Sequence, residues 1–345
     1  MSDTTSDPYR TLLDTLATRR RALVTTHVRP DGDALGSSVA LILGMRNKGI
    51  DAELLLLSRL PRKYAFIVHD NGIAYHDAEK GWPAGLADLS RFDGFVVCDT
   101  GTWSQLPGLK DRVLAWDVPK LVVDHHLTQE DWATAKLVVT QAAAAAEVVA
   151  ELLERWGVAV DAAMATALFL GLASDTGWFQ FSNTRPYTLR LAARLMETGV
   201  DTDRMYQLLY QNERAERVVL QTRAQQSLEL LAGGRLAVMR VYKRDFAQTH
   251  ADVPDTENLI NVPLQIRTVQ ASILITEPLE GGPVRVSLRS KGQVDVARFA
   301  ERFGGGGHAR AAGLKLDGTV EQVHDTVVTA MVEALGPASD AEPQN

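Results

Sequence analysis

The chain has a single cysteine, Cys98, in 345 residues. One thiol excludes an internal disulfide framework and a cysteine-based zinc site, and it fits a reducing compartment. Long hydrophobic runs are also missing. The longest apolar stretch, residues 162–173, is interrupted by Thr166 and is too short to span a bilayer. The opening residues are polar and carry no secretory signal pattern, so a cytoplasmic protein without a membrane partner is expected. Positive charge is in deficit. A net charge of −7 argues against a grip on long nucleic acid, where phosphate contacts supply most of the non-specific affinity. The rest is ordinary in composition, 46% hydrophobic and 23% charged, and long enough for two domains with proper cores.

The stretch that organises the chain is TTHVRPDGDALGS, residues 25–37. A short apolar run precedes it and reads as a buried strand. Apolar residues at helical spacing follow it, over residues 35–48. Between strand and helix stand His27, Asp31 and Asp33. At the C-terminal edge of a strand these side chains would converge in the crevice where open α/β sheets bind ligands. An imidazole with two carboxylates suits Mn²⁺ or Fe²⁺ better than an all-oxygen Ca²⁺ cage. The same residues would also serve a loop whose aspartates cap the helix.

Further strands are expected at 52–57, 92–99 and 120–126, and helices at 9–20, 142–156 and 161–174. Their order predicts an α/β fold with a mostly parallel, helix-covered sheet over residues 1–190. Residues 191–231 read as a helical connector. A smaller α/β domain is expected over 232–336, with strands near 236–241, 269–276, 284–289 and 311–316, helices at 295–303 and 320–335, and a glycine loop at 304–307. Residues 337–345 have the composition of a disordered tail.

Polar clusters recur at the strand ends: His27/Asp31/Asp33, then Asp99, then Asp124/His125/His126, with Asp175 at the end of a helix. Each has an ordinary explanation as a turn or capping residue. Their coincidence at one edge of one sheet is what counts. Two divalent metals held about 3.5–4 Å apart need one bridging carboxylate and several flanking His and Asp ligands, and this inventory supplies them.

The motifs HVRPDGD, VVCDT, DHH and SDTG, in this order, resemble those of the DHH phosphoesterase superfamily, and GGGGHARAAG at 304–313 resembles the signature of the DHH-associated domain. The phrases FSNT (181–184) and VSLRSK (286–291) are similar to those of the NrnA-type branch. That branch degrades short RNA and removes the 3′-phosphate of 3′-phosphoadenosine 5′-phosphate (pAp). The resemblance implies two Mn²⁺ ions, with Fe²⁺, Co²⁺ or Mg²⁺ as alternatives. It assigns His27 and Asp31 to one ion and Asp33, His125 and Asp175 to the other, with Asp99 between them. Asp124 would orient a ligand, and His126 would face the scissile phosphate. Substrate contacts are expected from Arg289, Ser290, Gly305, Gly306, Gly307 and His308, in a segment whose surplus of arginine and lysine contrasts with an acidic chain.

The substrates so implied are short oligoribonucleotides and pAp, with a homodimer possible for the assembly. The nearest rival is a phosphodiesterase of linear dinucleotides such as pApA or pGpG. A RecJ-like exonuclease should be longer and more basic, and a family II pyrophosphatase would lack the glycine-rich domain. Alanyl-tRNA editing proteins share a similar glycine motif but lack the DHH clusters. A non-catalytic nucleotide sensor is the reading from a different class, and intact ligand positions speak against it.

Overall fold

Residues 7–337 are described by a computed structural model, and they divide into two units at residues 212/213. Residues 1–6 and 338–345, the latter nearly all of the stretch read as a disordered tail, lie outside the described residues.

The first unit opens with α1 (Pro8–Leu16), β1 (Arg21–Thr25), α2 (Gly32–Asn47) and β2 (Asp51–Leu56). After α3 (Ala65–His69) come β3 (Tyr75–Asp77), β4 (Gly94–Cys98), α4 (Lys110–Ala115), β5 (Lys120–Asp124) and β6 (Ala135–Val138). Four helices complete it: α5 (Ala145–Arg155), α6 (Ala162–Asp175), α7 (Pro186–Glu197) and α8 (Thr202–Tyr210). The strands form one parallel sheet in the order β3-β2-β1-β4-β5-β6. Chain direction across the sheet reverses between β1 and β4, which opens a crevice at their C-terminal ends.

Strand side chains alternate between two buried layers. Val24, Leu54, Val96 and Val123 join a core with α2, α5 and α6, whereas Leu23, Leu55, Phe95 and Val122 pack into the opposite layer beside α4. Burial on both faces explains why these strands read as continuous apolar runs. Helices α2 and α6 lie against each other and are buried nearly all round, at Leu35, Val39 and Ile42 on one and Leu168, Phe169 and Leu172 on the other.

Two edge strands, β3 and β6, fall where no strand pattern is visible in the sequence. β3 is three residues long and at most half-buried, so it has no apolar run to reveal it. The stretch read as one helical connector is three helices with a strand after them: α7 and α8 belong to the first unit, and α9 (Ala215–Gln226) and β7 (Glu229–Leu231) to the second.

The second unit continues with β8 (Leu236–Val241), α10 (Lys243–Thr249), β9 (Ala271–Thr276), β10 (Val284–Ser290), α11 (Val296–Glu301), β11 (Gly306–His308), β12 (Ala311–Leu316) and α12 (Val320–Leu335). Its sheet runs β11-β12-β10-β9-β8-β7 and is antiparallel except where β8 meets β9. Val238, Ile273, Val286, Leu288 and Leu314 pack against Phe299, Val323 and Val327 to form its core. The expected glycine loop is in part a hairpin arm, since Gly306, Gly307 and His308 pair with Gly313, Ala312 and Ala311.

Candidate metal centre

The loop after β1 carries His27 and Asp31. Asp31 is the N-cap of α2, where its Oδ1 accepts from the amides of Asp33 and Ala34 at 3.0 Å each. Capping therefore occupies one carboxylate oxygen and fixes the direction of the other. His27 Nδ1 lies 3.0 Å from the Val28 carbonyl. A carbonyl only accepts, so Nδ1 donates to it and Nε2 is the nitrogen left for a metal or a second proton. That Nε2 is 3.5 Å from Asp99 Oδ2 and 3.8 Å from Asp31 Oδ1.

Asp33, in the first turn of α2, is fully buried. Its oxygens accept from the amides of Ala145 (2.6 Å) and Ala146 (2.9 Å), at the start of α5. Those first helical amides have no partner within their own helix, and the carboxylate serves as their cap. The sequence reading began this helix at residue 142. It begins at Ala145 because Ala144 is extended, which turns the amides toward Asp33. Helix α6 makes the room. A Cβ on Gly171 would lie 2.6 Å from Asp33 Oδ1 and 2.5 Å from the Ala146 methyl, so only glycine fits there.

Asp99 follows β4 with φ of +63°, a left-handed conformation unusual for a buried aspartate. Its Oδ1 faces His125 Nε2 at 3.4 Å. Both atoms are buried and neither has a hydrogen-bond partner. His125 Nδ1 is directed at the Ala142 carbonyl, 3.3 Å away, so Nε2 is again the nitrogen left for a metal or a second proton. Asp175, the last residue of α6, brings Oδ2 to 3.4 Å from the same Nε2, and Asp33 Oδ2 lies 3.9 Å from it. The side chains thus gather into two groups of three, His27/Asp31/Asp99 and Asp33/His125/Asp175. Asp99 faces both.

Asp124, His125 and His126 make a further group with Asp99, but its oxygens are already engaged. Asp124 Oδ1 accepts from the His125 and His126 amides and, at 2.8 Å, from His126 Nδ1, while Oδ2 accepts from Gln129. This set orients a histidine instead of holding an ion.

The proton affinities follow from the crowding. Burial disfavours the charged His27 ring, yet the Asp31 and Asp99 carboxylates outweigh it and push its pKa up to about 10. Burial also opposes charge on His125, but Asp99 and Asp33 raise it to about 9. Burial lifts Asp175 to about 6 against the opposing pull of His125, with Asp99 and Asp31 adding to the rise. Burial, then Asp99 and Asp175, hold Asp33 well above the ordinary carboxylate range. Asp124 moves the other way: burial is overcome by His126 and Gln129. Four carboxylates thus surround two imidazoles, and protons on the imidazoles stand in for missing positive charge. Divalent cations fit this donor set. Its oxygens and imidazole nitrogens suit borderline metals, and two of the inward-facing atoms are otherwise unpartnered.

In the second unit Arg289 is half-buried on β10, and its Nη1 donates to the Leu288 carbonyl at 3.0 Å. Ser290, expected among the substrate contacts, is instead buried and accepts from the Gly292 amide at 2.8 Å. Its hydroxyl holds the turn. Gly306, Gly307 and His308 form the exposed edge strand of the sheet, with Gly305 half-buried before them. Residues that the sequence did not single out also serve the centre. The Ala145 and Ala146 amides lie in an alanine run with no polar signal. Glu147, buried behind them, pairs with Arg185 and accepts from Thr188 Oγ1 at 2.7 Å.

Comparison with known proteins gives two family matches, the DHH family N-terminal domain over residues 21–172 and the DHHA1 domain over 233–335. The chain is 30% identical over 317 residues to the bifunctional oligoribonuclease and PAP phosphatase NrnA of Thermus thermophilus, covering 90% of this chain and 89% of that one. Identity to the Bacillus subtilis protein of the same name is 24% over 310 residues, covering 88% and 92%. The fold is shared with an exopolyphosphatase-related protein from Bacteroides fragilis, at 23% identity, TM-score 0.81 and 97% coverage of both chains.

Proposed function

Because this chain belongs to the DHH family of phosphoesterases and is an enzyme of that class, we propose that it hydrolyses short oligoribonucleotides to mononucleotides and pAp to AMP, with two divalent ions, Mn²⁺ foremost. The two activities are those named for the Thermus thermophilus and Bacillus subtilis relatives. The observation that carries the reading is the buried Asp99 carboxylate facing His27 on one side and His125 on the other. His27 and Asp31 would hold one ion with Asp99; Asp33, His125 and Asp175 would hold the second with the same carboxylate. When bound, such a pair supplies an activated water at neutral pH and neutralises charge on the phosphoryl oxygens.

The chain's own residues supply the rest. The Val28 and Ala142 carbonyls hold His27 and His125 in the tautomer that leaves Nε2 free. Asp124 raises the pKa of His126 and fixes its ring through Nδ1, with half of the side chain exposed. His126 Nε2 would then donate to a phosphoryl oxygen as negative charge develops there. Cys98 has no role in this scheme; it is fully buried in the sheet, and burial pushes its thiol far from the thiolate.

Cytoplasm remains the proposed location, and among the described residues no helix is long and apolar enough to cross a membrane. A substrate panel with added Mn²⁺ tests the reading: pAp, pApA, pGpG, oligonucleotides of two to five residues, a long RNA and pyrophosphate. Turnover of pAp and the short oligonucleotides is expected. Turnover confined to pApA or pGpG would favour the linear-dinucleotide phosphodiesterase.

A further inference from the structure

Gln129 stands five residues beyond Asp124, in a loop that the scheme above does not use. Its side-chain amide donates to Asp124 Oδ2 at 2.5 Å and to the His126 carbonyl at 3.1 Å. Both partners only accept, so the NH₂ end must face them. The amide oxygen points the other way, buried and without a partner. It rests against Gly101, where a Cβ would lie 1.8 Å from it. A methyl at 101 and this placement of the Gln129 amide exclude each other.

The surrounding loop is clipped in place. The Gly101 carbonyl accepts from the Glu130 amide (3.1 Å) and from Trp132 Nε1 (3.0 Å). The Trp103 amide donates to Glu130 Oε1 at 3.1 Å, and the Trp103 and Trp132 rings lie 4.5 Å apart. These contacts bind the segment after the DHH triplet to the segment after Asp99.

The geometry points to Gln129 as a positioning residue for His126, acting through Asp124, with Gly101 as the space it needs. This inference rests on the reading of His126 as the group that faces the phosphoryl oxygens. The imidazole is half-exposed and its Nδ1 donates to Asp124 Oδ1 at 2.8 Å. That carboxylate is fully buried. Its Oδ1 is held by amides of the same short turn, but its Oδ2 accepts from Gln129. Without Gln129 a buried carboxylate oxygen loses its donor, and rotation of the carboxylate to find another would swing the imidazole with it. Gln129 also grips the His126 backbone, so both ends of the residue answer to one amide. Its hydrogen bonds go to neither group of metal-ligand side chains, so metal binding should be spared.

The test compares His126→Ala, Gln129→Ala, Gln129→Glu, Gly101→Ala and the Gly101→Ala/Gln129→Ala double variant of the full chain. The readouts are kcat and KM on a trinucleotide, Mn²⁺ affinity by calorimetry, and thermal midpoint. Gln129→Ala should lower kcat about 10- to 100-fold, a range usual for residues that orient a ligand or catalytic group, with KM within about twofold and Mn²⁺ binding kept. Gln129→Glu keeps the shape but loses the donor, and should fall as far. Gly101→Ala should be damaging alone, yet the double variant should be no worse than Gln129→Ala, because the missing side chain vacates the space for the methyl. Wild-type kcat in Gln129→Ala and Gln129→Glu, with turnover lost in His126→Ala, would overturn the inference and leave the reading of His126 intact. So would loss of Mn²⁺ binding in either Gln129 variant. Near-normal kcat in His126→Ala would instead defeat the reading beneath it, and the inference with it.

Discussion

Asp99 and His126 have separable duties. Asp99 faces both groups of donor side chains, so Asp99→Ala should abolish turnover and weaken Mn²⁺ retention together. His126→Ala should lose about 10²–10³ in kcat with the metals still bound, as calorimetry alongside a kinetic assay would reveal. Equal metal loss in both variants would contradict that division. The pKa shifts bear on the metal-free protein. His27 and His125 ordinarily titrate near 6.5, but in the folded chain they are pushed up to about 10 and about 9. Raised values mean that folding takes up protons, so this stability is fully present below pH 6.5 and is lost as pH rises through 9 to 10. Asp175, raised from 3.8 to about 6, gives the same sign over the lower interval. The thermal midpoint of metal-stripped protein should therefore fall between pH 6.5 and 9. Saturating Mn²⁺ should flatten that slope, since metal binding displaces the same protons. A midpoint rising over this interval would contradict the sign.

The elements that carry the centre were legible to different degrees. β1, β4 and β5 are buried on both faces and so stand out as apolar runs, and their ends carry His27, Asp99 and the Asp124–His126 triplet. Asp33 was legible as a ligand-type residue, but its capture of the α5 amides was not, because that contact joins residues 112 positions apart. Gln129 carried no signal at all; its meaning depends on a glycine that sits beside it only in the folded chain. Ser290 lies in the VSLRSK phrase that carries the resemblance, whereas strand alternation turns its side chain inward. The crossing of α2, α5 and α6 makes its own prediction. Gly171→Ala would press a methyl against the Asp33 carboxylate and Ala146 and should cost about 1–3 kcal/mol, as overpacked cores do. It should also lower Mn²⁺ affinity, which chemical denaturation and calorimetry together would measure. An unchanged midpoint in urea would show that this crossing has slack that the distances do not suggest.

At the scale of the whole molecule, charge sets the expectation. The chain carries a net −7, whereas residues 284–310 hold Arg285, Arg289, Lys291, Arg298, Arg302 and Arg310 against Asp295 and Glu301. Each nucleotide added to a substrate brings a further phosphate that an acidic protein does not attract. kcat/KM should fall steeply beyond about five nucleotides, and its salt dependence should correspond to about one to three phosphate contacts, not the six to ten of a large nucleic-acid binder. Equal rates on a trimer and a 30-mer, or a steep salt slope, would favour a RecJ-like exonuclease.

The central claim is that two divalent ions, sharing Asp99, make this fold a phosphoesterase for short substrates. Its most direct test is the initial rate on a trinucleotide after metal stripping, followed as Mn²⁺ is titrated back. The account predicts no hydrolysis in excess EDTA, recovery that saturates at two ions per chain, and little recovery with Ca²⁺. Full hydrolysis by the stripped protein in excess EDTA would contradict it.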